Sequence, residues 1–414
     1  LDMTGRLVSY AFLLASLIPS WTVCKHFFGS GAKLFFCVFV ALCLSCPLYL
    51  FWGRAFLMET EALYFTLSFL AFSLKTPIDE VRWKDALMCG GFLALAILQK
   101  STTVLPVLLF AVVWRIAGLI RSRIRPNADL LLKSCATYVV PFIIGVIWVE
   151  YTDKVKSQNL FGQLLTSAKL FSWNFGTLHA RLSAELWNGV IWHRVVAENS
   201  GGHLGMLIIV AGLLWAPQRR WLIGAACGLF LSFFLIFENL LFVHEYYPAA
   251  NTVYLVFAIT ASIAGLIEKY PARSAFILVV VGIIVALNLN AFWRGPLYAQ
   301  ETHIYAANDP ILSSAFFVRD NTEKQSAILV YGDDWNSQFP YYSQRKAFVV
   351  SKSFSDYLDP IKHPQRYIQT RPAATMVCGE ARADVQLHQV ISVAYKGWRK
   401  TSLELCEIYQ PVSQ

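Results

Sequence analysis

Charged residues are scarce in this sequence. They make up 15% of the 414 residues, against about a quarter in an ordinary soluble domain. Apolar residues make up 56%, and the mean hydropathy is +0.49. This balance excludes an ordinary soluble protein and predicts a polytopic membrane protein. The net charge of +9 does not indicate a nucleic-acid partner, because most basic residues fall in short loops beside apolar segments, where the positive-inside bias places them.

Metal-binding patterns are lacking as well. Of nine cysteines, all but two lie in or beside apolar segments, where thiols pack as small apolar groups. Cys378 and Cys406 lie in polar sequence and allow one disulfide in an oxidising compartment. His244 and Glu245 begin an H-E-x-x-H pattern, but Pro248 occupies the second histidine position, which excludes a zinc protease. The sequence predicts no specific cofactor and leaves a divalent metal open.

Long apolar runs, in contrast, are frequent. A helix that crosses a bilayer needs roughly 17 to 25 mostly apolar residues. By this criterion the sequence predicts about ten spans, several of them short. They lie at residues 7–24, 33–51, 58–75, 85–99, 102–120, 133–150, 204–217, 221–238, 249–267 and 273–292.

The loop 114–133 fixes the predicted orientation, because it carries Arg and Lys residues against a single acidic one, Asp129, and therefore faces the cytoplasm. Counting spans from this loop assigns the other loops to sides. Those predicted to be extracytoplasmic are the N-terminus, 52–59, 100–103, 151–203, 237–251 and everything after 293. The ionisable residues that then emerge at one face of the membrane are Arg54, Glu59, Lys100, His244 and Glu245.

Each of these side chains also has a purely structural interpretation. Arg54 can form an interface ion pair with Glu59 or Glu61. Lys100 can extend its amine to the interface, and His244 can be a hydrogen-bonded structural histidine. Alternatively, a cation at a helix junction, followed by two hydroxyl residues, suits a phosphate group. Their common side favours one polar site that handles a lipid-linked anion.

The remaining segments complete a two-domain organisation. Loop 151–203 is amphipathic and predicts one or two Trp-anchored helices on the membrane surface, with a turn at 200–202 and the capacity to act as a lid. After residue 294 the long apolar runs end. Strands are predicted at 327–331, 347–350, 374–377 and 401–409, with a helix at 313–321. Residues 1–294 are thus predicted to form the transmembrane domain and 295–414 a soluble α/β domain, with Asp333 and Asp334 in a polar turn rather than an acidic metal motif.

Four stretches carry a resemblance to a known family: PLYLFWGRAFLMETEALYFTLSFLAF, LALAILQKSTTVLP, FENLLFVHEYYPAANTVYLVFA and VYGDDWNSQFPYYSQRKAFVV. In order, spacing and shared membrane side they resemble the GT-C membrane glycosyltransferases of the protein-mannosyltransferase superfamily, which includes the enzyme that adds aminoarabinose to lipid A. The resemblance implies a GT-C-like helical domain followed by a small extracytoplasmic α/β domain. It also implies a multi-pass protein of the inner (plasma) membrane with a periplasmic C-terminal domain.

The reaction that the resemblance implies is inverting transfer of a hexose or pentose at the outer face of the membrane. The donor would be a polyprenyl-phosphate sugar, and the acceptor a lipid, a glycan or a protein. Such chemistry needs cations on the departing phosphate and a carboxylate that takes the acceptor proton. The resemblance places Arg54 and Lys100 on the donor phosphate, with His244, Tyr246 and Tyr247 lining the donor side.

The sequence also departs from the family pattern. Relatives carry their catalytic aspartate in a first extracytoplasmic loop, and no such loop precedes the first span here. We therefore expect an N-terminal span and loop upstream of Leu1, with Glu59 and Glu245 as substitute catalytic carboxylates. Ser101 stands where a glycine often follows the lysine. The alternative function is a flippase or transporter of a lipid-linked saccharide, for which internal repeats and interrupted midplane helices would be expected.

Overall fold

A computed structural model of the chain describes residues 2–77, 80–159, 162–298, 309–332, 334, 336–352 and 354–412. It divides into two compact units, Leu1–Ala299 and Gln300–Gln414. The first unit is helical and the second contains a small sheet, so the predicted fold class, a helical polytopic membrane protein with a C-terminal α/β domain, is confirmed. One member of the predicted turn, Asp333, lies outside the described residues.

The first unit is built almost entirely of helices. Its α-helices, within the described residues, are α1 Asp2–Ala15, α2 Leu17–Phe28, α3 Ala32–Ser45, α4 Pro47–Phe51, α5 Glu59–Lys75, α6 Trp83–Arg121, α7 Ala128–Ser134, α8 Val140–Lys156, α9 Phe171–Phe175, α10 Leu178–Arg181, α11 Leu204–Trp215, α12 Arg220–Ile236, α13 Glu238–Val243, α14 Thr252–Lys269 and α15 Ser274–Arg294. Short 3-10 helices lie at Gly29–Gly31, Trp52–Arg54, Gly162–Leu165, Pro217–Arg219, Tyr247–Ala250 and Pro271–Arg273, and π-helices at Cys135–Val139 and Glu185–Ala197.

Within the part of the chain that the structure describes, six helical stretches are long and apolar enough to cross a membrane, or up to seven if the bent pair Pro47–Arg54 and Glu59–Lys75 counts as one span. The protein is therefore a multi-pass membrane protein. The count is lower than the predicted ten for two reasons. Two of the stretches, Met3–Ser45 and Trp83–Arg121, each cover two predicted spans, and α11, with 12 residues, is short for a span.

The stretch Met3–Ser45 contains a reversal of the chain. The rings of Trp21 and Phe36 lie 5.3 Å apart, whereas a continuous helix would separate them by about 22 Å. Gly29 has a φ of 55°, a conformation that favours glycine, and ends α2 before the 3-10 turn that leads to α3. The predicted spans 7–24 and 33–51 thus correspond, as far as Ser45, to the two limbs of one helical hairpin.

A second reversal divides α6. Lys100 has non-helical backbone angles, φ −163° and ψ 96°. Beyond it, Arg115 donates to the carbonyls of Thr76 and Pro77, at 2.7 and 3.2 Å, in the loop that leads into α6. In a straight helix Arg115 would lie about 48 Å from Trp83, so the limb after Lys100 must run back beside the limb before it. The two predicted spans 85–99 and 102–120 correspond to these limbs.

The predicted span 33–51 is wrong at its C-terminal end. Proline disfavours helical backbone at the residue before it, and Cys46, before Pro47, is extended, with φ −60° and ψ 124°. The helix therefore ends at Ser45, and the short helix α4 leads into the 3-10 turn Trp52–Arg54. The stretch Pro47–Arg54 makes an angle of 110° with α5, which begins at Glu59.

Helix α14 is the centre of the first unit. In its most apolar window 83% of residues are buried, more than in the other span-length helices of the described chain. Small residues allow close packing around it: a Cβ on Gly212 of α11 would lie 2.6 Å from the side chain of Ser262. The 3-10 turn Tyr247–Ala250 leads directly into α14 and is thereby held against the core.

The predicted surface helices of loop 151–203 are only partly observed. The turn at 200–202 is confirmed, with φ of 68° at Gly201 and 67° at Gly202. However, α8 extends to Lys156, and the π-helix Glu185–Ala197 buries one side against the core. Exposed large apolar residues on the segment are Phe171, Trp173, Leu178, Leu182 and Trp187.

The described residues of the second unit form a five-stranded sheet. Its strands are β1 Ala327–Tyr331, β2 Lys346–Val350, β3 Ala374–Cys378, β4 Arg399–Ser402 and β5 Cys406–Gln410. The strand order is β2-β1-β3-β5-β4. Strands β1 to β3 are parallel, and β5 runs antiparallel to both β3 and β4. The α-helices are Pro310–Asp320, Gln338–Ser343, Asp359–Lys362, Gln365–Ile368 and Val385–Ala394, with a 3-10 helix at Gly379–Ala383.

Two of the sequence predictions concern this sheet. The single strand predicted at 401–409 is wrong, because residues 403–405 form the turn of a β4-β5 hairpin. The disulfide does form: Cys378 and Cys406 are bonded and are register partners on β3 and β5. The disulfide links β3 to β5 through two cysteines that are 28 residues apart in sequence.

Candidate functional site

The site is built around Lys100, at the reversal of α6. Its Nζ donates to Glu59 Oε1, at the first residue of α5, and the two side chains are 10% and 3% exposed. The partner of Glu59 is thus Lys100, not Arg54 as one interpretation of the sequence had it. The other carboxylate oxygen, Glu59 Oε2, is buried and has no hydrogen-bond partner among the described residues.

Two tyrosines cover the lysine. The Lys100 ammonium lies 3.7 Å from the centroid of the Tyr247 ring and 5.9 Å from that of Tyr246, both distances at which a cation is attracted to an aromatic face. The two phenol rings stack with centroids 4.8 Å apart, and the His244 ring lies 5.2 Å from each. The structure therefore brings together Glu59, Lys100 and the 244–247 segment, which sequence reasoning placed on one side of the membrane.

Burial keeps the ring residues uncharged at neutral pH. Burial lowers the pKa of His244 below its ordinary value, and the nearby charge of Lys100 lowers it further, although Glu59 opposes this. Burial also raises the pKa of Tyr246 and of Tyr247. The cluster accordingly offers neutral phenol and imidazole groups around one ammonium, which is a suitable lining for a single anionic group.

Arg54 lies on a turn that adjoins this cluster. It ends the 3-10 turn that Trp52 begins, and its Nε donates to Leu50 O at 2.8 Å. The Trp52 ring lies 5.7 Å from that of Tyr246, which joins the turn to the cluster. Trp52 Nε1 is buried without a hydrogen-bond partner in the described chain. This indole was not among the sequence candidates.

A second group of charged residues, Arg194 and Glu198, interacts electrostatically with Glu245, which is exposed and follows His244 in sequence. Arg194, on the π-helix, donates through Nη2 to Leu241 O. Burial lowers the pKa of Arg194, and the charges of Glu245 and Glu198 oppose this. Burial raises the pKa of Glu198, the negative charge of Glu245 adds to this, and Arg194 opposes it. Sequence reasoning missed Arg194 and Glu198 because they lie on a different element, more than 40 residues before Glu245.

An apolar groove lies beside the reversal of α6. The two residues after Lys100, Ser101 and Thr102, line it together with Asn174, Phe175 and Phe237. The remaining lining is mostly apolar and includes Val104, Leu105, Leu108 and Phe142. Segment 167–175 covers part of the groove, and Ser167 in that segment is held by backbone and side-chain hydrogen bonds to Asp153.

Metal ligation finds little support in this arrangement. Among the residues that the structure describes, no group of three or more His, Cys, Asp and Glu side chains could hold a metal ion. The histidine of the cluster contacts aromatic rings instead: Trp173, Tyr246 and Tyr247.

The architecture matches solved membrane enzymes. ArnT from Cupriavidus metallidurans, the lipid A aminoarabinose transferase, aligns with a TM-score of 0.60 when bound to undecaprenyl phosphate, at 13% identity over 99% of this chain and 84% of that one. Its apo state aligns with a TM-score of 0.58 at 14% identity, again over 99% and 84%. The Archaeoglobus fulgidus oligosaccharyltransferase in complex with zinc and sulfate aligns with 0.52 at 11% identity, over 98% and 61%.

This chain has the GT-C fold. Both neighbours are GT-C glycosyltransferases, so the expected architecture is confirmed over nearly the whole chain. No family model matches the sequence, and no curated protein matches it significantly. At 11–14% identity the likeness establishes the GT-C fold and leaves the reaction to be argued from the site.

Proposed function

We propose that this protein is an inverting glycosyltransferase that moves a sugar from a polyprenyl-phosphate donor to an acceptor at the outer face of the membrane. The observation that carries the proposal is the buried ammonium of Lys100, which directly precedes two residues, Ser101 and Thr102, that line an apolar groove. A polyprenyl phosphate has the matching chemistry, with one anionic group on a long apolar chain. The undecaprenyl phosphate bound to ArnT, which shares the fold, supports this ligand class.

The ion pair with Glu59 prepares Lys100 for this role. An ammonium group has three donors, and in the pair Glu59 Oε1 accepts from one of them. The others can donate to phosphate oxygens, and the pair holds the lysine in place before the ligand arrives. As the bond between the anomeric carbon and the phosphate oxygen breaks, negative charge grows on the phosphate, and Lys100 stabilises that charge. The proposal gives Arg54 the same role.

The acceptor must lose a proton as its oxygen or nitrogen attacks the anomeric carbon from the side opposite the phosphate. Glu245 is exposed beside the cluster and is our choice for the group that takes this proton. Glu59 instead positions Lys100, since the ion pair occupies one of its oxygens. His244, Tyr246 and Tyr247 line the donor side through their contacts with one another and with the lysine.

The proposed location is the inner membrane, with the C-terminal unit outside the cytoplasm. The bonded pair Cys378–Cys406 supports this side, because disulfides persist in oxidising compartments. The predicted basic cytoplasmic loop 114–133 supports the same orientation.

Transfer is tested by incubating membranes that contain the protein with labelled polyprenyl-phosphate sugars. We expect release of polyprenyl phosphate together with a labelled acceptor. Movement of the sugar-lipid across the membrane without cleavage would instead indicate a flippase.

The lysine is tested separately. Lys100→Ala removes the one charge that lies over Tyr247 among the described residues, so transfer should fall about 100-fold while membrane insertion is retained. Lys33→Ala, at an exposed position on α3, is the matched control and should transfer normally. Unchanged turnover in Lys100→Ala would refute the assignment.

A further inference from the structure

Glu238 is a buried carboxylate with one oxygen unpaired within the described chain. It begins α13, is 2% exposed, and its Oε2 makes no hydrogen bond to any residue that the structure describes. Buried acidic groups are normally paired with a cation or a hydrogen-bond donor. An unpaired one therefore needs an explanation, and a missing ligand is one.

The backbone of Gly176 lies directly against this carboxylate. A Cβ at Gly176 would come within 1.9 Å of Glu238 Oε2, and its φ of 62° also favours glycine. The segment that carries Gly176 is held nearby by Asn239, whose Nδ2 donates to Trp173 O at 2.9 Å. The carboxylate is thus covered by a thin stretch of backbone that carries no side chain at the point of contact.

Sequence neighbours of Glu238 and of the lysine line the same groove. The residues immediately before Gly176 and Glu238 are Phe175 and Phe237, whose rings lie 5.4 Å apart, and both line the groove. Ser101 and Thr102, which follow Lys100 in sequence, line it as well. A ligand that occupies the groove would therefore contact residues adjacent to Lys100 and residues adjacent to Glu238.

We propose that Glu238 binds hydroxyl groups of the sugar carried on the polyprenyl phosphate, with the Gly176 segment moving aside to admit them. The inference rests on the proposed function. A carboxylate accepts hydrogen bonds from adjacent hydroxyls, and a buried one selects strongly for a ligand that supplies them, because it is otherwise unpaired. Glu238 is then a determinant of sugar specificity, and Lys100 binds the phosphate that all such donors share.

The test is a binding comparison on the full chain in lipid nanodiscs. The probes are undecaprenyl phosphate and a panel of undecaprenyl phosphoryl hexoses and pentoses. We expect the wild type to prefer at least one sugar-bearing probe over undecaprenyl phosphate. Glu238→Gln should lose that preference by at least tenfold while binding undecaprenyl phosphate within about twofold of wild type. Glu185→Gln, at an exposed position in the segment 151–203 that carries Gly176, is the control and should retain the preference.

The outcomes separate this inference from the proposed function. If Lys100→Ala binds all probes like wild type, the proposed function fails. If Lys100→Ala loses binding but Glu238→Gln keeps the sugar preference, or if the wild type prefers no sugar, the inference on Glu238 alone is overturned.

Labelling of the wild type with dicyclohexylcarbodiimide, which modifies buried carboxyl groups, tests the site without a variant. The preferred sugar-bearing probe should protect Glu238, whereas undecaprenyl phosphate should not. Equal labelling with and without the sugar-bearing probe would contradict the proposal.

Discussion

Lys100 combines two properties in one residue. It is the non-helical residue at which α6 reverses, and it carries the positive charge of the site. A lysine on a regular helix could extend toward water, but one at a chain reversal between packed limbs is held under the aromatic rings of Tyr246 and Tyr247. The fixed backbone explains why the charge stays buried and why it needs Glu59 as a partner.

His244 gives a pH-dependent prediction at the same scale. Its pKa is lowered mainly by burial, so the ring stays neutral below the ordinary histidine value of about 6.5 and becomes a cation only at lower pH. A protonated His244 would add positive charge beside Lys100. We therefore expect the ratio of the undecaprenyl phosphate dissociation constants of His244→Ala and wild type to rise as the pH falls below about 6.5.

The measurement is the dissociation constant of undecaprenyl phosphate from pH 8 to pH 5 for both proteins. Because the phosphate also titrates in this range, the difference between the two profiles is the relevant quantity. The difference should stay constant above about pH 6.5 and grow below it. A change already complete at pH 7 would contradict a lowered histidine pKa.

At the scale of elements, a buried asparagine joins three parts of the first unit. Asn288 Oδ1, on α15, accepts from Gly201 N at 2.7 Å, and its Nδ2 donates to Ser45 Oγ and Asn199 O, each at 3.3 Å. Asn199 in turn accepts from Leu48 N at 3.0 Å, a donor left free by the helix break at Pro47. The break that bends the chain toward Glu59 is therefore compensated by this network.

Asn288→Ala should destabilise the protein measurably. It leaves the buried Gly201 N–H without its acceptor, which costs about 1–3 kcal/mol. Thermal unfolding in detergent should show a lower Tm than wild type. Asn290→Ala, two residues along the same helix at an exposed position, is the control and should unfold like wild type. Equal Tm values for the two variants would show that the network contributes little.

At the scale of the whole molecule, the proposed function depends on which side of the membrane each unit and loop faces. The orientation predicts that the C-terminal unit is extracytoplasmic and that loop 114–133 is cytoplasmic. A single cysteine at Ser392, exposed in the second unit, should react with a membrane-impermeant maleimide in intact spheroplasts. A cysteine at Ser122, exposed in the basic loop, should react only after lysis.

The background for this experiment needs the exposed free thiols Cys37 and Cys135 replaced by serine. The native disulfide is retained, since it links two strands of the sheet. Labelling of the Ser122→Cys protein in intact cells, or failure of Ser392→Cys to label there, would reverse the orientation and remove the site from the outer face.

The sequence alone determined the class of the protein and most of its helices and strands. Apolar length and short alternating patterns are local quantities, so they marked the membrane segments and most of the sheet strands. Loop charge, which is also local, predicts that Glu59, Lys100 and His244 lie on one side of the membrane. Local signals also located the turn at Gly201 and Gly202. They failed at residues 33–51, where a proline outweighed hydropathy, and at 401–409, where a hairpin turn interrupts one apolar pattern.

Only the tertiary structure decided how side chains distant in sequence are paired. Glu59 meets Lys100 rather than Arg54 because α6 reverses at the lysine and returns it to the start of α5. Arg194 and Glu198 interact electrostatically with Glu245, and Gly176 covers Glu238, because a long segment folds back onto the 237–251 turn. Such contacts depend on packing between elements, which no local pattern of residues specifies, and this is why the buried carboxylate and the groove emerged only from the folded chain.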